Sequence, residues 1–263
     1  MERARQRSRK RGMVPLCRLT SGLALAASLW AASQVRGQGG PPMITDDPGT
    51  PGDRRWEINL ALAFEHRGGE TAFDAPATDL NYGLGERIQL TLQTAPVLLK
   101  VRDRGVIGGL GSTEAALKWR FLDEEHDGVS MSVFPRVIFN LTPSSVRRGL
   151  AEDGVRVQFP AQIAKKFDGV DFDFEFGTLV RSVGRSEWLY GLVAGIDVTK
   201  TTSLMAELHG TARTSFAEDF LTVNVGLRQK LNDASILIIS LGQEIRSPEA
   251  RGFVGYFGVQ LLY

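Results

Sequence analysis

The chain has 263 residues, with 31 Lys/Arg against 30 Asp/Glu and a formal net charge of +1. That balance hides a division: the first 38 residues hold eight of the basic side chains and one acid, Glu2, so the remainder carries a net charge of −6. This excludes a nucleic-acid binder, which needs a basic stripe. Nothing after residue 38 approaches the roughly 20 consecutive apolar residues of a membrane-spanning helix.

Residues 1–38 read as a secretory signal. Arg3, Arg5, Arg7, Arg9, Lys10 and Arg11 form a basic leader, and Leu19 to Ala32 is an apolar run too short to span a bilayer. Cleavage after Ala31-Ala32-Ser33 or near Gly37 and a start at Met1 or Met13 all fit. The single cysteine, Cys17, falls inside this segment, so no disulfide or thiol chemistry is expected beyond it. Residues 39–55 hold repeated Pro and Gly, which forbids regular structure. They read either as a periplasmic lead-in, the favoured placement, or as a plug folded into a lumen. Trp56 to Glu65 then alternates, with Trp56, Ile58, Leu60, Leu62 and Phe64 on one face and Glu57, Asn59 and Glu65 on the other.

The run Pro-Pro-Met-Ile-Thr-Asp-Asp-Pro-Gly-Thr-Pro-Gly from Pro41, followed by Trp-Glu-Ile-Asn-Leu from Trp56, resembles the N-terminal signature of a family of bacterial outer-membrane proteins. That family is described as transporters, or as the "MetA-pathway of phenol degradation" family. The match is close over residues 41–63 and one of pattern thereafter. It implies an exported outer-membrane β-barrel and brings no catalytic residues.

The rest parses into further alternating segments: 78–82, 87–98, 113–121, 129–141, 155–167, 170–181, 188–198, 202–213, 220–229, 234–245 and 252–263. With the first, these predict twelve strands. Repeats of about ten alternating residues are the pattern of a membrane barrel. The expected fold is therefore all-β: an antiparallel, up-and-down transmembrane barrel over residues 56–263, closed by its first and last strands. Gly83–Glu86, Asp168-Gly169, Thr199–Thr201 and Asn232-Asp233 read as short periplasmic turns. Gly105–Gly111 and Thr142–Gly154 read as longer extracellular loops, and residues 66–77 as the first of them. The last strand, Gly252 to Tyr263, is apolar on one face and ends on an aromatic, which resembles the C-terminal signal by which bacterial barrels meet their assembly machinery.

Alternation alone is the same inside out. Two features point the apolar face toward lipid: the polar face carries too many charges for a packed interior, and Trp56, Tyr82, Trp119, Trp188, Tyr190 and Tyr263 mark strand ends as interfacial girdles do. The lumen is then lined by Glu57, Asp79, Arg87, Glu114, Lys118, Arg120, Arg136, Arg156, Asp173, Glu175, Glu207, His209 and Arg228. Adjacent strands lie about 4.8 Å apart, which brings Arg156 toward Asp173 or Glu175. Opposed basic and acidic walls set a transverse field across a pore. The same charges can instead pair across a narrow lumen and fill it, and both arrangements fit.

Catalysis has little to build on. The chain has three histidines, His66, His126 and His209, and no metal-ligand spacing. No cofactor is expected. The expectation is a non-enzymatic outer-membrane channel or transporter for small solutes, apolar or aromatic ones by the family label, in contact with outer-membrane lipid. The alternatives are a barrel enzyme acting on lipid through His209 or His66, and a closed structural barrel.

Overall fold

A computed structural model describes residues 38–102, 105–216, 219–248 and 250–263. The signal read over residues 1–38 lies, apart from Gln38, outside the described residues.

Side chains that alternate along a strand give it two unlike faces, and the barrel turns the polar one inward. The strands are β1 (Trp56–Arg67), β2 (Glu70–Leu84), β3 (Ile88–Thr94), β4 (Pro96–Val101), β5 (Gly105–Leu110), β6 (Thr113–Leu122), β7 (Ser130–Val133) and β8 (Arg136–Phe139). There follow β9 (Arg156–Phe167), β10 (Val170–Arg181), β11 (Glu187–Asp197), β12 (Thr202–Arg213), β13 (Asp219–Asn232), β14 (Ser235–Arg246) and β15 (Phe253–Leu262). Three pairs of short strands run on as single staves. Along β2, β3 continues into β4 past Ala95, and β5–β6 and β7–β8 do the same against their neighbours. The result is a closed antiparallel barrel of twelve staves, as the sequence pattern predicts. Closure is made by β1, which pairs with β2 on one side and with β15 on the other, from Glu57↔Leu262 to His66↔Phe253.

The faces are inverted relative to a soluble protein. Asn59, Gln162, Ser130 and Ser132 are fully buried, whereas Phe172, Phe174, Phe176, Leu90 and Leu92 are exposed on the outside. Aromatics gather near the end that carries both barrel termini: Trp56 packs on Tyr82 at 4.8 Å and Trp119 on Phe121 at 5.6 Å. Phe176 stacks on Trp188 toward the far end. The turn at Asp168-Gly169 has φ of 48° and 82°, the left-handed pair a two-residue hairpin needs.

Two segments read as loops are strand. Residues 70–77 belong to β2, so β1 and β2 meet in a hairpin at Gly68-Gly69, both at positive φ. Gly105–Leu110 is β5, despite its glycines. The reason lies in the long loop after β8, which holds the short helix α2 (Pro143–Arg147) and folds back over the far mouth. Its Arg148 donates to the Gly108 carbonyl at 2.7 Å, and a Cβ on Gly109 would sit 2.8 Å from Leu150 Cδ1. The glycines thus make room for a packed loop rather than a flexible one. The polar turn after β6 winds into a single helical turn, α1 (Glu124–Asp127), capped by Asp123.

A charge on the outer face tests the inversion. Phe174→Arg near mid-barrel is expected to lower folding stability in phospholipid vesicles by about 2–4 kcal/mol, and Phe167→Arg beside the hairpin by about 0–1 kcal/mol. Urea titration of folding, followed by gel mobility of unheated samples, reads both. Equal stability of parent and Phe174→Arg would contradict the orientation.

Candidate functional site

Residues 38–49 lie inside the barrel. They enter from the end with the termini, reach mid-lumen at Pro42–Thr45 and return to the rim, where Thr50 donates to the Glu86 carbonyl at 2.8 Å. Beyond it, Arg54 N donates to the Gly83 carbonyl and Gly83 N to that of Arg55, each at 2.9 Å. The tip closes on itself: Gly40 N donates to the Thr45 carbonyl at 2.8 Å and Met43 N to the Gly40 carbonyl at 2.9 Å. The segment therefore occupies the lumen rather than forming only a lead-in.

Its chemistry explains how the wall holds it. Pro41 and Pro42 have no N–H to satisfy, and their carbonyls face donors. Arg228 reaches the carbonyls of Gly39 at 2.6 Å and Pro41 at 2.8 Å, and Ser240 Oγ donates to Pro42 at 2.8 Å. The N–H groups on either side meet carboxylates. Asp173 Oδ2 accepts from Gln38 N at 2.8 Å and Gly39 N at 3.0 Å; Glu207 accepts from Thr45 N at 2.5 Å and Ile44 N at 3.2 Å. Hydrogen bonds to ionised acceptors are about twice as strong as neutral ones.

A second grip is ionic. Asp46 takes the Lys118 ammonium at 3.1 Å on one oxygen and Arg136 Nη2 at 2.7 Å on the other. Both cations stand over the ring of the fully buried Phe134, Lys118 Nζ at 4.6 Å and Arg136 Cζ at 4.2 Å from its centroid. Arg136 also faces Glu114 and Glu175, each at 3.7 Å. A buried pair like this costs much desolvation, and removing one partner typically costs 3–5 kcal/mol because a charge is left unmatched.

The wall is cut to fit. A Cβ on Gly191 would run into Thr45 Oγ1, and one on Gly226 into Met43 Cε. Met43 packs in the resulting space against buried Val193 and Met205.

Of the residues predicted to line the lumen, Asp173, Glu175, Glu207, His209, Arg228, Lys118, Arg136 and Glu114 gather around the segment. Asp79 is buried and accepts from Asn59 at 3.0 Å, with Glu57 beside it. Arg120 sits lower, bonded to the Glu86 carbonyl and paired with Asp123 at 3.2 Å. Two expectations fail. Arg87 lies in the β2–β3 turn with an exposed side chain, one residue short of the strand that would turn it inward. Arg156 does not approach Asp173 or Glu175: the register sets it opposite Arg181, while Ala164 faces Asp173. It pairs instead with Glu152 of the long loop at 2.6 Å, and Arg181 binds that same carboxylate. The histidines do not converge. His209 Nδ1 faces Thr45 Oγ1 at 3.4 Å inside the lumen, and His66 meets Thr71 at 2.8 Å on an exposed surface.

Sequence reasoning missed Asp46, Phe134, Ser240 and the wall glycines. Mid-strand Gly191 and Gly226 were the available signal, since glycine inside a strand often marks close approach of another backbone. It also missed a cavity of about 270 Å³ on the far side of the segment tip, between Pro42–Ile44 and the wall of β1, β2 and β13–β15.

No protein-family model matches the chain and no curated protein matches its sequence, so the likeness of residues 41–63 to the phenol-degradation family stays a resemblance. Solved structures do match. The COG4313 outer membrane channel from Pseudomonas putida F1 superposes with a TM-score of 0.63 at 13% identity, over 83% of this chain and 98% of that one. The NanC porin gives 0.59 at 6% identity, over 78% and 98%, and the KdgM porin 0.54 at 12%, over 77% and 98%. At such identities the likeness is one of fold, and the fold is that of outer-membrane barrel channels and porins.

Proposed function

We propose that this protein is an outer-membrane channel for small solutes, with residues 38–49 as its internal constriction. The observation that carries this reading is how the lumen is filled. Barrels of about eight strands are filled by their own wall side chains, and diameter grows with strand number. Here the middle of the lumen is taken by a separate stretch of chain, held by polar contacts that have alternatives in water. The matched structures, a channel and two porins, support the same reading. On it, the signal segment delivers the chain to the outer membrane, and the strand Gly252 to Tyr263 engages the assembly machinery.

Single-channel recording in planar bilayers tests it. The full chain is expected to give small steps of reproducible size, and a variant lacking residues 38–49 larger ones. Absence of conductance in both proteins would establish a sealed structural barrel instead.

Asp46→Ala separates grip from fold. Loss of the carboxylate removes the ion-pair partner that Lys118 and Arg136 share, which is expected to weaken docking of the segment by about 3–5 kcal/mol. The expected result is frequent switching between the small and large conductance levels, with unchanged gel mobility of the barrel. A stable small level in Asp46→Ala would remove the ionic grip from the account.

A further inference from the structure

The cavity beyond the segment tip has a chemistry the constriction does not use. Its apolar lining comes from Met43, Ile44, Ala63, Ala72 and Val254. Three features set its polar end. Asp74 lines it half-buried, and among the described residues no Lys or Arg pairs with it. Asn224 is 1% exposed, donates its amide to Glu207 at 3.0 Å, and leaves its Oδ1 buried without a partner. Glu65, the other acid on the lining, shares the single guanidinium of Arg67 with Glu244. The lining itself thus carries two carboxylates, Asp74 and Glu65, and among the described residues no Lys or Arg lines the cavity.

We infer that this cavity is a solute site for small organic ammonium ions: an apolar body of about one aromatic ring carrying a protonated amine. The amine would meet Asp74 and Asn224 Oδ1, supplying the donors that both lack, and the body would lie on Met43, Ile44 and Val254. Size agrees, since a cavity of about 150 Å³ suffices for benzene and this one holds about 270 Å³. Sign agrees as well, because an unpaired carboxylate in a partly desolvated site attracts a cation and repels an anion more strongly than it would in water. The inference names the solute class of the proposed channel and so rests on that reading.

Binding separates the two. Isothermal titration calorimetry on the full chain in detergent uses three probes of matched size: benzylammonium, benzyl alcohol and benzoate. Benzylammonium is expected to bind at least tenfold more tightly than benzyl alcohol, and benzoate not measurably. Asp74→Asn is expected to remove that preference while keeping the alcohol's affinity, and Ala72→Leu to weaken both by filling the cavity. Equal binding of the ammonium and the alcohol, tighter binding of benzoate, or an unchanged preference in Asp74→Asn would each overturn the assignment. If conductance is present while these results fail, the channel stands without this site. If the preference is found without conductance, the cavity is a binding site in a sealed barrel.

Discussion

In hydrocarbon every backbone N–H and C=O must find a partner within the protein, and a sheet can meet that demand only by closing on itself. The ten register pairs of β1 with β15 meet it here, together with the exchange of bonds between Trp56 and Tyr263 at 2.9 and 3.0 Å. Closure then dictates the rest. The outer face must be apolar, so Phe172, Phe174 and Phe176 point out. The alternate positions, Asp171, Asp173 and Glu175, are forced inward by the pleat alone.

Turning the charges inward creates a second problem. A lumen lined by Lys118, Arg136, Arg228, Asp173, Glu175 and Glu207 is costly unless each charge is matched or hydrated. Direct pairing across the wall solves part of it, as with Arg136 among Glu114 and Glu175. A peptide rich in prolines and glycines, with two adjacent acids, Asp46 and Asp47, solves much of the remainder. Its free carbonyls suit Arg228, its free N–H groups suit Asp173 and Glu207, and Asp46 suits the two cations on Phe134. A helix or strand would have spent those backbone groups on itself. The composition that forbids regular structure over residues 39–55 is therefore what lets the segment serve as a lumenal ligand.

The twelve staves and the sense of their faces were legible because both are local. Period-two alternation survives any register, and Asp168-Gly169 announces its own hairpin. What was not legible depends on register or on distant contact. Arg156 has the right parity to face the lumen, yet parity is silent on height, and β9 against β10 places it at the far mouth, away from Asp173. The glycines of β5 read as a loop because the residues that need their space, Arg148 and Leu150, lie some forty positions later. Asp46 carried no signal by itself; its two partners are 72 and 90 residues away.

The two kinds of grip differ in what they demand of the segment. Asp173, Glu207, Arg228 and Ser240 address main-chain atoms, which any residue other than proline can present as donors and all can present as acceptors. Lys118 and Arg136 address a side chain, and only a carboxylate answers both at once. Backbone contacts thus fix where a chain can lie in this lumen, while Asp46 fixes which stretch of chain lies there and in what register. A slip of the segment by one residue would move Asp46 off both cations. It would also pull Thr45 and Met43 off the clearings at Gly191 and Gly226. The segment therefore has one well-defined seat, marked by the carboxylate that Lys118 and Arg136 share, and withdrawing the segment from it has to separate that group from both.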